Sequence, residues 1–211
     1  MIDYRVYLVT DDPSRYHGNW LDNVRAAVEG GVTCVQYRDT ENVAKAQYAR
    51  ILALRDAIGK TPIIVNNDAE LAKAVKAEGV HVGQGDLPPS KVRSVVGPKC
   101  EIGYSITAFR QLESRRCEIR SCDCLGVGPV FDARKTKVDA AAAMGLDGFR
   151  QIANALPECP RIAIGGITLE NAAEVIAAGA DGLAVVSAFS KSENPYEVAK
   201  EFRLLFDRCG K

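Results

Sequence analysis

Short apolar runs alternate with longer stretches of helical spacing along the whole chain. The apolar runs are typical of buried strands, and the stretches between them carry apolar residues three and four positions apart, as amphipathic helices do. The eight predicted strands cover residues 4–10, 32–38, 61–66, 79–84, 100–105, 122–128, 161–166 and 182–188. The predicted helices follow them at 20–31, 42–59, 69–79, 88–97, 107–116, 146–156, 169–179 and 195–208.

Eight strand–helix units in a chain of 211 residues predict one α/β domain, a single (β/α)8 TIM barrel over residues 1–211. The alternation implies parallel strands joined by right-handed crossovers. An open doubly wound sheet is the structural alternative, and it is less favoured because no G-x-G-x-x-G follows the first strand. Residues 129–145 form the longest connection, and loops of that length are often functional.

Composition narrows the class of protein. The 27 Lys and Arg residues balance the 27 Asp and Glu residues, which argues against a nucleic-acid surface built on bulk charge. No apolar run approaches the ~20 residues of a membrane span, and the first residues do not have the pattern of a signal peptide. The seven cysteines are scattered and lack the paired spacing of a zinc site. We expect a cytoplasmic protein with small-molecule partners, no nucleic acid and no membrane, and with a homo-oligomer possible.

Polar residues collect where the predicted strands end, which is the face that carries the chemistry in barrel enzymes. Two residues two positions apart, Gln36 and Arg38, share one face of the second strand. The other residues at these ends are Thr10, Asp11, Asn66, Asn67, Asp68, Gln84, Asp86, Ser105, Thr107, Gly165, Gly166 and Ser187, with Arg134, Lys135, Thr136 and Lys137 in the long loop.

These residue types suit phosphate and a divalent cation. Arg38 and Lys137 are cations, and arginine binds phosphate through two parallel hydrogen bonds. Asp68 and Asp86 offer the oxygen ligands that Mg²⁺ shares with substrate phosphates. The glycine pair and Ser187 lie where barrels commonly bind phosphate through backbone N–H groups. The cations and aspartates suit a metal-bound diphosphate, and the glycine pair with Ser187 suits a single phosphate. Two phosphorylated substrates would use both sets.

Each feature also has a purely structural interpretation. Gly165 and Gly166 could form only a tight turn, and Asp86 could cap the following helix. Arg38 could pair with Asp39 at the surface, and His81, inside an apolar run, is more often a core residue than a catalyst. The run "NND" at 66–68 fits a helix N-cap as well as a ligand site. It is the combination that favours an enzyme.

Several stretches of the chain resemble the thiamine-phosphate synthase family. They include "YLVTDD", "GVHVGQGDLPP", "LGVGPVF", "MGLDGFRQI" and "IAIGGITLENAAEVIAAGADGLAVVSA", in order over nearly the whole chain. The resemblance implies a (β/α)8 barrel and a Mg²⁺-dependent transferase of thiamine biosynthesis. Such an enzyme joins hydroxymethylpyrimidine diphosphate to a thiazole phosphate, giving thiamine phosphate and pyrophosphate.

The resemblance also implies roles for individual residues. It makes Arg38, Lys137 and Ser105 the catalytic set, and Asn67 and Asp86 the Mg²⁺ ligands. The pyrimidine diphosphate would contact Gln36, Arg38, Asn66 and Ser105, the covering loop would supply Thr136 and Lys137, and the thiazole phosphate would lie on Gly166, Val186 and Ser187.

Three positions depart from the family pattern, and they keep two alternatives open. Thr40 stands where the family has lysine, Asn67 where it has aspartate, and "ARKTK" where it has Thr-x-Thr-Lys. A related barrel family isomerises a thiazole phosphate carboxylate without a diphosphate site, but the position of its catalytic histidine is Thr107 here. The second alternative is a barrel that binds thiamine precursors without turnover.

Overall fold

The computed structural model describes residues 1–39, 43–133 and 141–210. Two of the predicted substrate contacts, Thr136 and Lys137, lie outside the described residues, as does Thr40.

Eight parallel strands close into a barrel in chain order, and the last strand pairs with the first. This arrangement confirms the predicted (β/α)8 fold class. The strands are β1 (Val6–Val9), β2 (Cys34–Tyr37), β3 (Ile63–Asn66), β4 (Gly79–Val82), β5 (Glu101–Ile106), β6 (Cys124–Val127), β7 (Arg161–Ile164) and β8 (Gly182–Val185).

Helices cover the outside of the barrel between successive strands. They are α1 (Trp20–Gly30), α2 (Ala44–Ile58), α3 (Ala69–Ala74), α4 (Pro89–Val96), α5 (Gln111–Ser114), α6 (Arg116–Ile119), α7 (Gly145–Ala155), α8 (Leu169–Ala177), α9 (Ser187–Ser190) and α10 (Pro195–Arg208). None of these helices is both long and apolar enough to cross a membrane, as far as the described residues show.

The strands are apolar on both faces because two separate cores use them. Most buried side chains lie in an outer core between the barrel and its helices. A smaller cluster fills the barrel interior and includes Tyr7, Val9, Ile64 and Ile162. Continuous apolar runs, rather than alternating ones, are what a parallel sheet buried on both faces requires.

Most predicted boundaries lie within two residues of the observed ones, and three elements differ by more, for local reasons. The helix predicted at 107–116 begins only at Gln111, because the Gln111 side chain accepts hydrogen bonds from the backbone of Thr107 and Ala108 and holds them in a loop. It is then divided into two short helices at Arg115, whose backbone is not helical. The helix predicted at 69–79 ends at Ala74, and Lys76 then takes a left-handed conformation. The eighth strand ends at Val185, so that Ser187 begins α9.

Candidate active site

A cavity of about 370 Å³ opens at the carboxyl ends of the strands. It is lined by every predicted substrate-binding residue that falls within the described ranges. These are Gln36, Arg38, Asn66, Ser105, Gly166, Val186 and Ser187. Sequence positions up to 151 residues apart, from 36 to 187, therefore meet around one cavity, as expected for residues at the strand ends of a barrel.

Gln36 lies buried at the end of β2 with its amide held from inside the barrel. Its Nε2 donates a hydrogen bond of 2.8 Å to the Tyr7 hydroxyl, which leaves Oε1 as an acceptor for a ligand. Burial raises the pKa of Tyr7 well above its usual value, so the phenol stays neutral. The sequence reasoning missed Tyr7 because it lies inside an apolar run, although a tyrosine in a strand buried on both faces is itself a signal.

Arg38 reaches the cavity with its backbone fixed and its guanidinium available. The Thr10 hydroxyl donates to the Arg38 carbonyl at 3.2 Å and accepts from the Arg38 N–H at 2.9 Å. The neighbouring Asp39 carboxylate pairs with Arg50 at 3.0 Å and not with Arg38. Within the described parts of the chain, the Arg38 guanidinium has no hydrogen bond or ion pair. A cation without a partner on a cavity wall suits an anionic ligand.

The three residues after β3 divide between the site and the helix. Asn66 lines the cavity, whereas Asn67 takes a left-handed conformation with φ of 66° and has an exposed side chain outside the lining. Asp68 caps α3, because its Oδ1 accepts a 2.9 Å hydrogen bond from the Leu71 N–H. The Asx run is therefore both a helix cap and part of the site.

Asp86 closes the turn after β4 and does not cap α4, whose N-cap is Pro88. Its Oδ2 accepts a 2.7 Å hydrogen bond from the Gly83 N–H, so one carboxylate oxygen is already oriented. No group of three or more His, Cys, Asp and Glu side chains among the residues with described positions could hold a metal by itself. Mg²⁺ needs only one or two carboxylates when phosphate oxygens and water complete its shell, and Asp86 can supply one of them. Neither Asp86 nor Asn67, the two predicted Mg²⁺ ligands, is among the residues that line the cavity.

Ser105 on β5 lies against a histidine from the neighbouring strand. The Ser105 Oγ is 3.0 Å from His81 Nε2, and both residues line the cavity. Burial lowers the pKa of His81 to about 4, so the ring is neutral at pH 7. Gln84 extends this wall, since its Oε1 accepts a 2.9 Å hydrogen bond from the Gln111 amide.

Backbone donors form the side of the cavity made by β7 and β8. Gly165 and Gly166 have φ values of 96° and 66°, and a Cβ on Gly166 would lie 2.6 Å from the Phe131 Cβ. The Gly166 carbonyl accepts a 2.9 Å hydrogen bond from the Asn171 side chain, which connects this loop to the first turn of α8. The N–H groups of Gly166, Val186 and Ser187 meet no acceptor among the residues that the structure describes. They are free to bind an anion.

A family model described as thiamine monophosphate synthase matches residues 6–189 of the chain. The chain belongs to the thiamine monophosphate synthase family. This assignment confirms the predicted resemblance, and with it a transferase of thiamine biosynthesis.

Relatives in this family match the chain over almost its whole length. The thiamine-phosphate synthase of Albidiferax ferrireducens is 42% identical over 205 residues, which is 96% of this chain and 92% of the relative. The thiamine-phosphate synthase of Chloroflexus aurantiacus is 40% identical over 97% of this chain and 94% of the relative. A solved structure, thiamine phosphate pyrophosphorylase from Pyrococcus furiosus, superposes with a TM-score of 0.84 at 29% sequence identity. The superposition covers 98% of this chain and 96% of that one.

Proposed function

We propose that this protein joins hydroxymethylpyrimidine diphosphate to a thiazole phosphate and releases pyrophosphate, with Mg²⁺ as cofactor. The observation that carries the proposal is one cavity with two separate sets of anion-binding groups. Arg38, just after β2, lines the cavity and has an unpaired guanidinium among the described residues. Gly166, Val186 and Ser187 line it after β7 and β8, and their N–H groups meet no acceptor there. Two phosphorylated substrates would bring their reacting ends together between these sets.

The diphosphate belongs, in this proposal, on the side made by β2 to β5. Arg38, Asn66 and Ser105 bind its oxygens, and Asp86 with Asn67 would hold Mg²⁺. When bound there, Mg²⁺ neutralises the negative charge that grows on the leaving pyrophosphate. The Arg38 guanidinium adds a second positive charge there, and the hydrogen bond between the Arg38 backbone and Thr10 fixes the point on the chain from which the side chain extends.

The pyrimidine ring and the thiazole phosphate fill the rest of the cavity. Gln36 Oε1 accepts from an amino group on the pyrimidine, because Tyr7 already holds the other end of the amide. The thiazole phosphate binds the N–H groups of Gly166, Val186 and Ser187, which places the ring nitrogen for attack. Thr136 and Lys137 stay proposed contacts in the covering loop. We also propose a cytoplasmic location, and a homo-oligomer stays a prediction.

The test is a turnover assay with both substrates, with and without Mg²⁺, that follows thiamine phosphate and pyrophosphate together. Equal and Mg²⁺-dependent formation of both products is expected. No product, with the thiazole phosphate still bound, would reject the proposal and favour the isomerase or the binding protein.

A separate variant tests the proposal that Asp86 binds Mg²⁺. Asp86→Ala should abolish Mg²⁺-dependent turnover, whereas Asp56→Ala, on the exposed face of α2, should leave it unchanged. Full activity of Asp86→Ala at limiting Mg²⁺ would place the cation elsewhere.

A further inference from the structure

His81 lies at the cavity in a position that two glycines make possible. In the sheet register it pairs with Gly103 on β5, and Ser105 pairs with Gly126 on β6. A Cβ on Gly103 would overlap His81 Nδ1, and one on Gly126 would lie 2.7 Å from Cε1. The imidazole therefore leans from β4 across β5 toward β6, and its ring occupies the space that two side chains would otherwise fill.

The two ring nitrogens of His81 have different surroundings. Nε2 is 3.0 Å from the Ser105 Oγ. Nδ1 is buried and has no hydrogen-bond partner in the described structure. A neutral imidazole has one N–H donor and one acceptor nitrogen. A buried N–H without a partner is rarer in proteins than a buried acceptor without one, so the proton belongs on Nε2.

The position of that proton decides what Ser105 can do. If Nε2–H donates to the Ser105 Oγ, the hydroxyl proton of Ser105 is not needed for this bond. Ser105 Oγ has no other hydrogen bond in the described chain, and the residue lines the cavity. Its O–H would then point toward a ligand as a donor.

We infer that His81 is a positioning residue that donates from Nε2 to Ser105 and so fixes the Ser105 hydroxyl as a hydrogen-bond donor to the pyrimidine substrate. The acceptor on the substrate is an anionic phosphate oxygen or an unprotonated ring nitrogen, and an amino group at this point is disfavoured. This inference rests on the proposed function for the identity of the substrate. The hydrogen bond between the two side chains does not depend on it.

The first experiment measures the tautomer of His81 directly, in the absence of turnover. The chain has two histidines, and His17 is exposed, so ¹⁵N-labelled wild type and the His17→Gln variant assign both rings. At pH 7, long-range ¹H–¹⁵N spectra should show a protonated Nε2 and an unprotonated Nδ1 for His81. A proton on Nδ1, or on both nitrogens, would overturn the inference. Failure of the synthase assay would leave this result unaffected.

The second experiment tests whether His81 acts through Ser105. In His81→Gln the side-chain amide can replace Nε2–H, whereas the shorter amide of His81→Asn matches the position of Nδ1. We expect His81→Asn to lower kcat/KM for the pyrimidine diphosphate about tenfold and His81→Gln to stay within about threefold of wild type, the range for one buried hydrogen bond. Thermal unfolding of both variants checks that they are folded.

The same two substitutions are then made in a Ser105→Ala background. If His81 acts through the Ser105 hydroxyl, the difference between glutamine and asparagine should disappear there. A difference that persists without Ser105, or equal loss in both single variants, would make His81 a packing residue only and overturn the inference.

Discussion

At the scale of single residues, the side chains that face the cavity are held by others that lie behind them. Tyr7 holds the Gln36 amide, Thr10 holds the Arg38 backbone, and His81 contacts Ser105. The residues in front could be predicted from the sequence because polar side chains at strand ends are conspicuous. Tyr7 and His81 were not assigned to the site from the sequence, because each lies inside an apolar run, where a core residue is the commoner interpretation.

Tyr7 provides a test of this supporting role. Tyr7→Phe removes only the hydroxyl that accepts from Gln36 Nε2, so the amide can rotate and present the wrong group to the pyrimidine. We expect KM for the pyrimidine diphosphate to rise about fivefold, which corresponds to about 1 kcal/mol. Tyr4→Phe is the control, because Tyr4 lies before β1 and its hydroxyl donates a hydrogen bond to Glu101, not to Gln36. Equal effects of the two changes would contradict the assigned role.

The lowered pKa of His81 leads to a second prediction, about how the free energy of unfolding depends on pH. Its pKa is about 4 in the folded protein and 6.5 when unperturbed. Between these values the unfolded chain binds a proton that the folded protein does not, so the free energy of unfolding falls as pH falls from 6.5 to 4. From pH 7 to pH 5 the wild type should lose about 2 kcal/mol more than His81→Gln. Urea unfolding at both pH values measures this, and equal losses would contradict it.

At the scale of elements, a short helix positions part of the site. The sequence suggested that β8 runs through Ser187, but the strand ends at Val185 and α9 begins at Ser187. The buried Ser190 hydroxyl in α9 donates a 3.1 Å hydrogen bond to the Asp11 carboxylate after β1. This bond joins residues 179 positions apart, and no local pattern could reveal it.

Ser190→Ala should therefore affect one substrate more than the other. Without its bond to Asp11, α9 is held less firmly, and the N–H groups of Val186 and Ser187 lose their fixed position. We expect KM for the thiazole phosphate to rise about two- to fivefold and stability to fall by about 1 kcal/mol, with KM for the pyrimidine diphosphate unchanged. Ser94→Ala, on an exposed position of α4, is the control. A loss of stability with both KM values unchanged would separate α9 from phosphate binding.

At the scale of the whole molecule, closure of the barrel brings the two ends of the chain together. β8 pairs with β1, and a Cβ on Gly182 would overlap the Tyr4 carbonyl oxygen. On the outside, a Cβ on Gly30 at the end of α1 would overlap the Tyr196 carbonyl of α10. At both places the neighbouring atoms belong to the backbone, which cannot move aside as a side chain can. Glycine, which has no Cβ, therefore allows the two chain segments to pack this closely.

Gly182→Ala tests this closure. We expect the free energy of unfolding to fall by about 1–3 kcal/mol, because the added methyl group must push β8 away from the chain before β1. Gly85→Ala is the matched control, since a Cβ there has open space, and its effect should stay within about 0.5 kcal/mol. Urea unfolding of the two variants gives the comparison, and similar stabilities would mean that the closure tolerates an extra atom.

The sequence alone predicts the number and order of the strands, the barrel, and the residues that come to its carboxyl end. These follow from local periodicity and from the rule that parallel strands end on one face. Only the folded structure shows which side chains support them, where the strands end, and that Asn67 has an exposed side chain outside the cavity lining whereas Asn66 lines it. Those features depend on register and ring packing between strands, such as His81 over Gly103 and Gly126, and such contacts leave no periodic signal in the chain.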